Sequence, residues 1–329
     1  MSDKNHKFSV YYYLLIIFKA SLLSLFIAIN TREYSITNII QRPNIDPFSN
    51  IILMGQFNFI NKNISRWSDA WSKHIRNIVI ATPEDTPKQE LKFGRYMFYE
   101  GDNGHFSPYI NMGRVIKENK DIRGLLYVHD DLLIAGSILR KVGGSEWITN
   151  IEPHKRDNSV KVYKNGTFIS NHSQIFSGHK YFRTAWPAWK DCHKNFLNMF
   201  DDPRMEPFLS KPKNNDAFLT AIVNQADMLY SFFNSDEQKN AFLDLLDMFA
   251  EHRLFLECAV PTAVSMMQER FGIKVHTSLL CTDWHNLRGN ARLMIKNCLE
   301  KNSDYEVFHP IKINQHRNWA RFFDNVIKL

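Results

Sequence analysis

The chain has no Cys-x-x-Cys pair. Its four cysteines, Cys192, Cys258, Cys281 and Cys298, are far apart in the sequence. This spacing argues against a cysteine-built zinc site. No run of five or more Lys and Arg occurs, although the net charge is +7. The basic excess is therefore not arranged as a nucleic-acid stripe, and no nucleic-acid partner is expected. Low-complexity tracts and internal repeats are missing. No small-x-small cleavage site follows the one long apolar run, which argues against a removed signal peptide.

What is present describes a folded protein with a sizeable core. Hydrophobic residues make up 44% of 329, too many for general disorder. The scattered positive charge is mostly a solvated surface, and its excess suits an anionic ligand such as a nucleotide diphosphate. The even number of cysteines permits two disulfides, with all three pairings open. Three Asn-x-Ser/Thr sequons stand at Asn63, Asn165 and Asn171, about as many as chance supplies.

The longest apolar run, residues 10–29, is about long enough to span a bilayer. Lys19 in its middle costs roughly 2.5–3.5 kcal/mol on insertion, which the many Leu, Ile and Phe offset. Lys4 and Lys7 precede the run, and that bias keeps the N-terminus cytosolic. A buried N-terminal helix is the competing reading. We expect residues 1–9 to form a cytosolic tail, 10–29 a retained transmembrane signal anchor and 30–49 a short stem containing Pro43 and Pro47. Residues 50–329 are then a lumenal domain, with halves at 50–144 and 145–329.

Within that domain the pattern predicts a strand from Ile51 to Phe59, an amphipathic helix from Ile64 to Arg76 and a strand from Asn77 to Ala81. Trp67, Trp71 and Ile75 recur every four residues, a spacing that suits core packing better than ligand stacking. Strand, helix, strand in about thirty residues is a βαβ unit, hence a parallel sheet. A helix is predicted from Phe106 to Lys120, with Pro108 in its first turn. Residues 145–185 carry short β-like pieces such as Ser159–Tyr163. Residues 214–233 and 236–254 read as helices, and a further helix begins near Glu251.

The stretch 125–136, Leu-Leu-Tyr-Val-His-Asp-Asp-Leu-Leu-Ile-Ala-Gly, dominates the functional reading. Its apolar runs predict a buried strand, covered by helices on both faces. Asp130 and Asp131 sit at the strand's exit. Buried carboxylates need a cation, a basic partner or water. A divalent cation with oxygen ligands would satisfy them; a loop of solvated acids is the plainer alternative.

An apolar strand ending in x-Asp-Asp resembles the Asp-x-Asp motif of GT-A-fold glycosyltransferases, with close variants in exostosin-like and fringe-like Golgi enzymes. His129 departs from the acid that those variants carry at the first position. The resemblance implies an α/β, GT-A-like nucleotide-diphospho-sugar transferase fold, with a mostly parallel central sheet flanked by helices and preceded by one transmembrane helix. Residues 50–144 would be the nucleotide-binding half and 145–329 the acceptor half, where Trp186 and Trp189 could stack on a sugar or simply pack together.

The resemblance also implies a divalent metal, Mn2+ by its ligand types, on the diphosphate of a sugar-nucleotide donor. Asp131 would bind the metal directly, while Asp130 and His129 would support it or hold the ribose. His309, after a short late strand, resembles the third metal ligand of several GT-A families. Lys312 would then lie on the diphosphate, and Asp85 would contact the base. Glu257, at a helix start after the acceptor region, resembles the carboxylate that serves inverting members as general base; a surface acid is the competing reading.

The expected activity is metal-dependent transfer of a hexosyl or N-acetylhexosaminyl group to a glycan or glycoprotein hydroxyl, in the Golgi or endoplasmic reticulum membrane. The alternative is a non-catalytic lumenal sugar-binding or scaffold protein with the same fold. A nucleotidyltransferase or phosphohydrolase would be expected to carry more clustered acids.

Overall fold

The strand Gly124–His129 shows how the core divides. Successive side chains of a strand point to opposite faces. Leu125 and Tyr127 join one apolar cluster, and Leu126 and Val128 join another. All four are buried, as expected of a sheet covered on both sides.

The computed structural model describes residues 49–57, 64–83, 90–99, 107–151, 159–164, 168–170, 189–210, 217–222, 224, 226–282, 290–311, 323–324 and 326. The candidate anchor 10–29, the stem up to residue 48, the three sequon asparagines, Asp85, Trp186 and Lys312 lie outside them. Among the described residues no helix is long and apolar enough to cross a membrane.

In chain order the elements are β1 (Ile51–Gln56), α1 (Ile64–Trp71), β2 (Asn77–Thr82), β3 (Arg95–Phe98), α2 (Ser107–Glu118), β4 (Gly124–His129), β5 (Leu133–Ile134), α3 (Gly136–Leu139), β6 (Trp147–Ile151), β7 (Ser159–Tyr163) and β8 (Phe168–Ser170). There follow α4 (Trp189–Met199), a 3-10 helix (Pro203–Phe208), β9 (Phe218–Ile222), β10 (Met228–Phe232), α5 (Asp236–Glu251), α6 (Leu256–Phe271), β11 (Val275–Thr282), α7 (Ala291–Lys301) and β12 (Tyr305–His309).

Among the described residues nine strands form the central sheet, in the order β3-β2-β1-β4-β10-β6-β11-β12-β5. Only β10 and β5 run against the others. The fold is thus α/β, with a mostly parallel sheet flanked by helices. A small antiparallel sheet, β8-β7-β9, stands beside it.

The predicted βαβ unit is present: β1 and β2 pair in parallel, with Leu53 opposite Ile78. Trp67 and Trp71 of the intervening helix are fully buried, so their four-residue spacing marks core packing. The Phe57 and Trp67 rings meet edge to face at 5.4 Å.

The central sheet curls. β5 follows β4 after three residues, yet it pairs with β12 at the far end of the strand order. The strands from β4 round to β5 therefore bend back on themselves, and the turn holding Asp130 and Asp131 closes the curl.

Two expectations are corrected. Residues 214–233 do not form a helix: β9 and β10 occupy 218–222 and 228–232. β9 pairs with β7, and β10 is inserted between β4 and β6, so partners distant in sequence overrode the local spacing. The later helix starts at Leu256 rather than near Glu251. α5 ends at Glu251 and Arg253 turns at φ 52° before the chain restarts as α6.

The cysteines pair as Cys192–Cys258, joining α4 to α6, and Cys281–Cys298, joining β11 to α7. Each disulfide lies in a different one of the two apolar clusters.

Candidate metal centre

The strand order reverses between β1 and β4, since β2 and β3 lie to one side of β1 and β4 to the other. Ligands of open α/β sheets bind at such a switch, outside the carboxyl ends of the strands. His129 ends β4 there, opposite Gln56, the last residue of β1. The chain then turns tightly: Leu132 N–H donates to His129 O at 3.1 Å, and Asp130 N–H donates to Gln56 O at 3.0 Å. These bonds fix both acids at the sheet's edge.

β12 delivers His309 to the same place. Phe308 pairs with Leu133, and Ile311 N–H donates to the carbonyl of Asp131. Closure of the curl thus brings together residues 178 apart in sequence, with His309 Nε2 3.0 Å from Asp131 Oδ1. His129 Nδ1 lies 2.9 Å from the same oxygen and 3.3 Å from Asp130 Oδ1. Asp131 and His309 are each about 95% buried.

This burial sets the electrostatics. Desolvation would strip the proton from the His129 imidazole, but hydrogen bonds to Asp130 and Asp131 outweigh it and hold its pKa well above 6.5. Desolvation likewise opposes charge on His309, and the carboxylates of Asp227 and Asp131 raise its pKa. Burial would push the Asp131 carboxyl up, yet the charge on His309 and the bond from His129 hold it well below the usual range. Imidazolium forms of His129 and His309 would serve as the cations of the cluster.

A divalent ion could replace those protons. One ligand atom from each of His129, Asp130 and Asp131 lies within 4.8 Å of the others. Ion–ligand bonds of about 2.1 Å put neighbouring donors about 3 Å apart and opposite donors about 4 Å apart. A small closing motion suffices, so the buried His-Asp-Asp group could hold a metal ion.

Of the remaining candidates, neither His309, which touches the set only through Asp131, nor Glu257 is a member of this set of ligand atoms. Glu257 is half-buried in the first turn of α6, where the helix dipole favours a carboxylate. Its carbonyl accepts from Asn224 N–H at 3.0 Å, which ties it to the segment leading into β10. Asp85 and Lys312 fall outside the described residues.

One site residue escaped the sequence. Asp227 directly precedes β10, and its carbonyl accepts from His129 N–H at 2.9 Å. Its Oδ2 lies 3.8 Å from His309 Nδ1. Read as part of a helix, Asp227 had no place at a sheet edge; read as the residue before a strand beside β4, it becomes a neighbour of the acid pair.

A separate cavity of about 660 Å3 opens at the amino ends of β1–β3, between Asn50, Asn77, Arg95 and Glu118. It lies at the other edge of the sheet from the His-Asp-Asp turn and holds none of these residues. No family model matches the sequence, and no curated protein matches it.

Proposed function

We propose that this chain is a metal-dependent glycosyltransferase with a GT-A-like fold, moving a sugar from a nucleotide-diphosphate donor to a glycan or protein hydroxyl. One observation carries the proposal. The buried His129–Asp130–Asp131 turn stands at the carboxyl end of β4, at the strand-order switch, with His309 3.0 Å from Asp131. A mixed carboxylate and imidazole set suits Mn2+. Bound there, the ion would offset the charge that develops on the leaving diphosphate.

The chain's own residues take the following parts. Asp131, in the turn after β4, and His309, at the end of β12, would hold the ion. Asp130 and His129, less buried than Asp131, hold the ion or the donor ribose. Lys312 follows Ile311 in the chain and supplies positive charge to the diphosphate. Asp85, after β2, contacts the base. Glu257 takes the proton of the acceptor hydroxyl.

Residues 10–29 anchor the protein in a Golgi or endoplasmic reticulum membrane with the domain in the lumen. The two disulfides favour such an oxidising compartment.

The test is turnover of uridine and guanosine diphosphate sugars by the purified protein, with Mn2+ and with chelator. Hydrolysis or transfer that needs Mn2+ is expected. Binding of donor and Mn2+ without turnover would favour the non-catalytic sugar-binding alternative. Failure to bind Mn2+ would overturn the metal reading.

A further inference from the structure

An imidazole can present either nitrogen to a metal, and the group facing its other nitrogen decides which. His309 stands between two carboxylates. Its Nε2 lies 3.0 Å from Asp131 Oδ1, and its Nδ1 lies 3.8 Å from Asp227 Oδ2. The second distance exceeds a hydrogen bond but lies within the range of attraction between opposite charges.

Asp227 is held firmly where it stands. Its carbonyl accepts from His129 N–H at 2.9 Å, and Met228 N–H donates to Oδ1 of the buried Asn150 at 3.0 Å. These bonds tie the entry of β10 to β4 on one side and to β6 on the other. Among the described residues, the buried Oδ2 of Asp227 has no hydrogen-bond partner. Neither has the hydroxyl of Tyr127, a fully buried residue two positions before His129 on β4. Asp227 therefore has one oxygen that can serve the far nitrogen of His309, 3.8 Å away.

We propose that Asp227 is a positioning residue: it holds the Nδ1 proton of His309 and so presents the Nε2 lone pair to an ion shared with Asp131. This rests on the metal reading given above and extends it to a residue beyond the direct ligands. Without the carboxylate, the Nδ1 proton loses its electrostatic partner and the ring gains a second orientation. Loss of such an orienting group typically lowers metal affinity by about 10–100-fold.

The test uses the full chain in detergent, with Mn2+ followed by electron paramagnetic resonance. Wild type is expected to bind the ion and show nitrogen coupling that His309→Ala reduces. Asp227→Asn should weaken binding by about 10–100-fold, and Asp227→Glu should recover part of the loss. Wild-type affinity and unchanged nitrogen coupling in Asp227→Asn would overturn the proposal while leaving the metal site standing. Failure of wild type to bind Mn2+ would remove both. Wild-type protein labelled with 15N-histidine and loaded with Cd2+ gives a readout that needs no Asp227 variant. Coordination of His309 through Nε2 is expected, and coordination through Nδ1 would refute the proposal.

Discussion

Asp131→Asn is the most informative single perturbation, because one oxygen of Asp131 serves two imidazoles. His129 Nδ1 and His309 Nε2 lie 2.9 and 3.0 Å from Oδ1. Asparagine keeps the shape and an acceptor oxygen but loses the charge. Hydrogen bonds to charged groups contribute about 1.5–3 kcal/mol, and neutral ones about 0.5–1.5. Weakening two bonds in this way should cost about 2–3 kcal/mol. At about 2.1 cal/mol/K of unfolding entropy per residue, a unit of about 280 residues moves by roughly 1.7 °C per kcal/mol, so a drop of about 3–5 °C is expected, with the fold retained at room temperature.

The drop must depend on pH, and its sign follows from the shifts. The pKa values of His129 and His309 are raised in the folded state, so the stability they contribute is fully present below the unfolded value of 6.5 and is lost as pH rises through their folded values. Asp131 is depressed, so its contribution is present above 3.8 and is lost as pH falls through its folded value. The network stabilises most between these limits. The Tm gap between wild type and mutant should therefore be widest near pH 5–6 and should narrow in alkaline buffer. Mn2+ adds a second readout. An ion at 100 times its Kd stabilises by about 2.7 kcal/mol, which should raise the wild-type Tm at pH 7.5 and leave the mutant unmoved. Thermal unfolding followed by tryptophan fluorescence measures both effects. Equal Tm at pH 5.5 together with an equal response to Mn2+ would refute the reasoning.

Other parts of the structure make separate predictions. Non-reducing peptide mapping should recover Cys192–Cys258 and Cys281–Cys298; by loop length alone, with separations of 66 and 17 residues, their removal should cost about 4 and about 3 kcal/mol respectively. A Cβ at Gly55 would come within 2.6 Å of the Trp67 ring, so Gly55→Ala should destabilise by about 1–3 kcal/mol in urea unfolding, and a neutral result would show that α1 can shift away from β1. Glu257→Gln should lower transfer by about 10²–10⁴ while Mn2+ and donor affinity stay near wild type; transfer within twofold of wild type would return Glu257 to a purely structural place in α6.

How much of this was legible in the sequence depended on the range of the forces involved. β1, α1 and β2 could be read because each carries its own period, and the buried Trp67 and Trp71 confirm what the four-residue spacing meant. The acid turn could be read because two carboxylates after Leu-Leu-Tyr-Val are expensive to bury without a partner. β9 and β10 could not. Residues 214–233 space their apolar side chains in a way that also suits a helix, and only pairing with β7, β4 and β6 settles their state. That misreading hid Asp227, because the residue before a strand beside β4 lies at the site, whereas a residue inside a helix has no such address. The cysteine pairing was hidden for the same reason: three connectivities were open until α4 met α6 and β11 met α7. His309 lies between these cases. Its chemistry was visible in the residue type and in its place after a late strand. The 3.0 Å contact with Asp131 required the sheet to curl until β12 met β5, a property of the assembled sheet that no window of sequence contains. The candidate centre is therefore local in His129, Asp130 and Asp131, which one turn supplies, and nonlocal in His309 and in Asp227. A change that loosens the β5–β12 pairing should separate His309 from Asp131 while leaving the His129–Asp130–Asp131 turn in place.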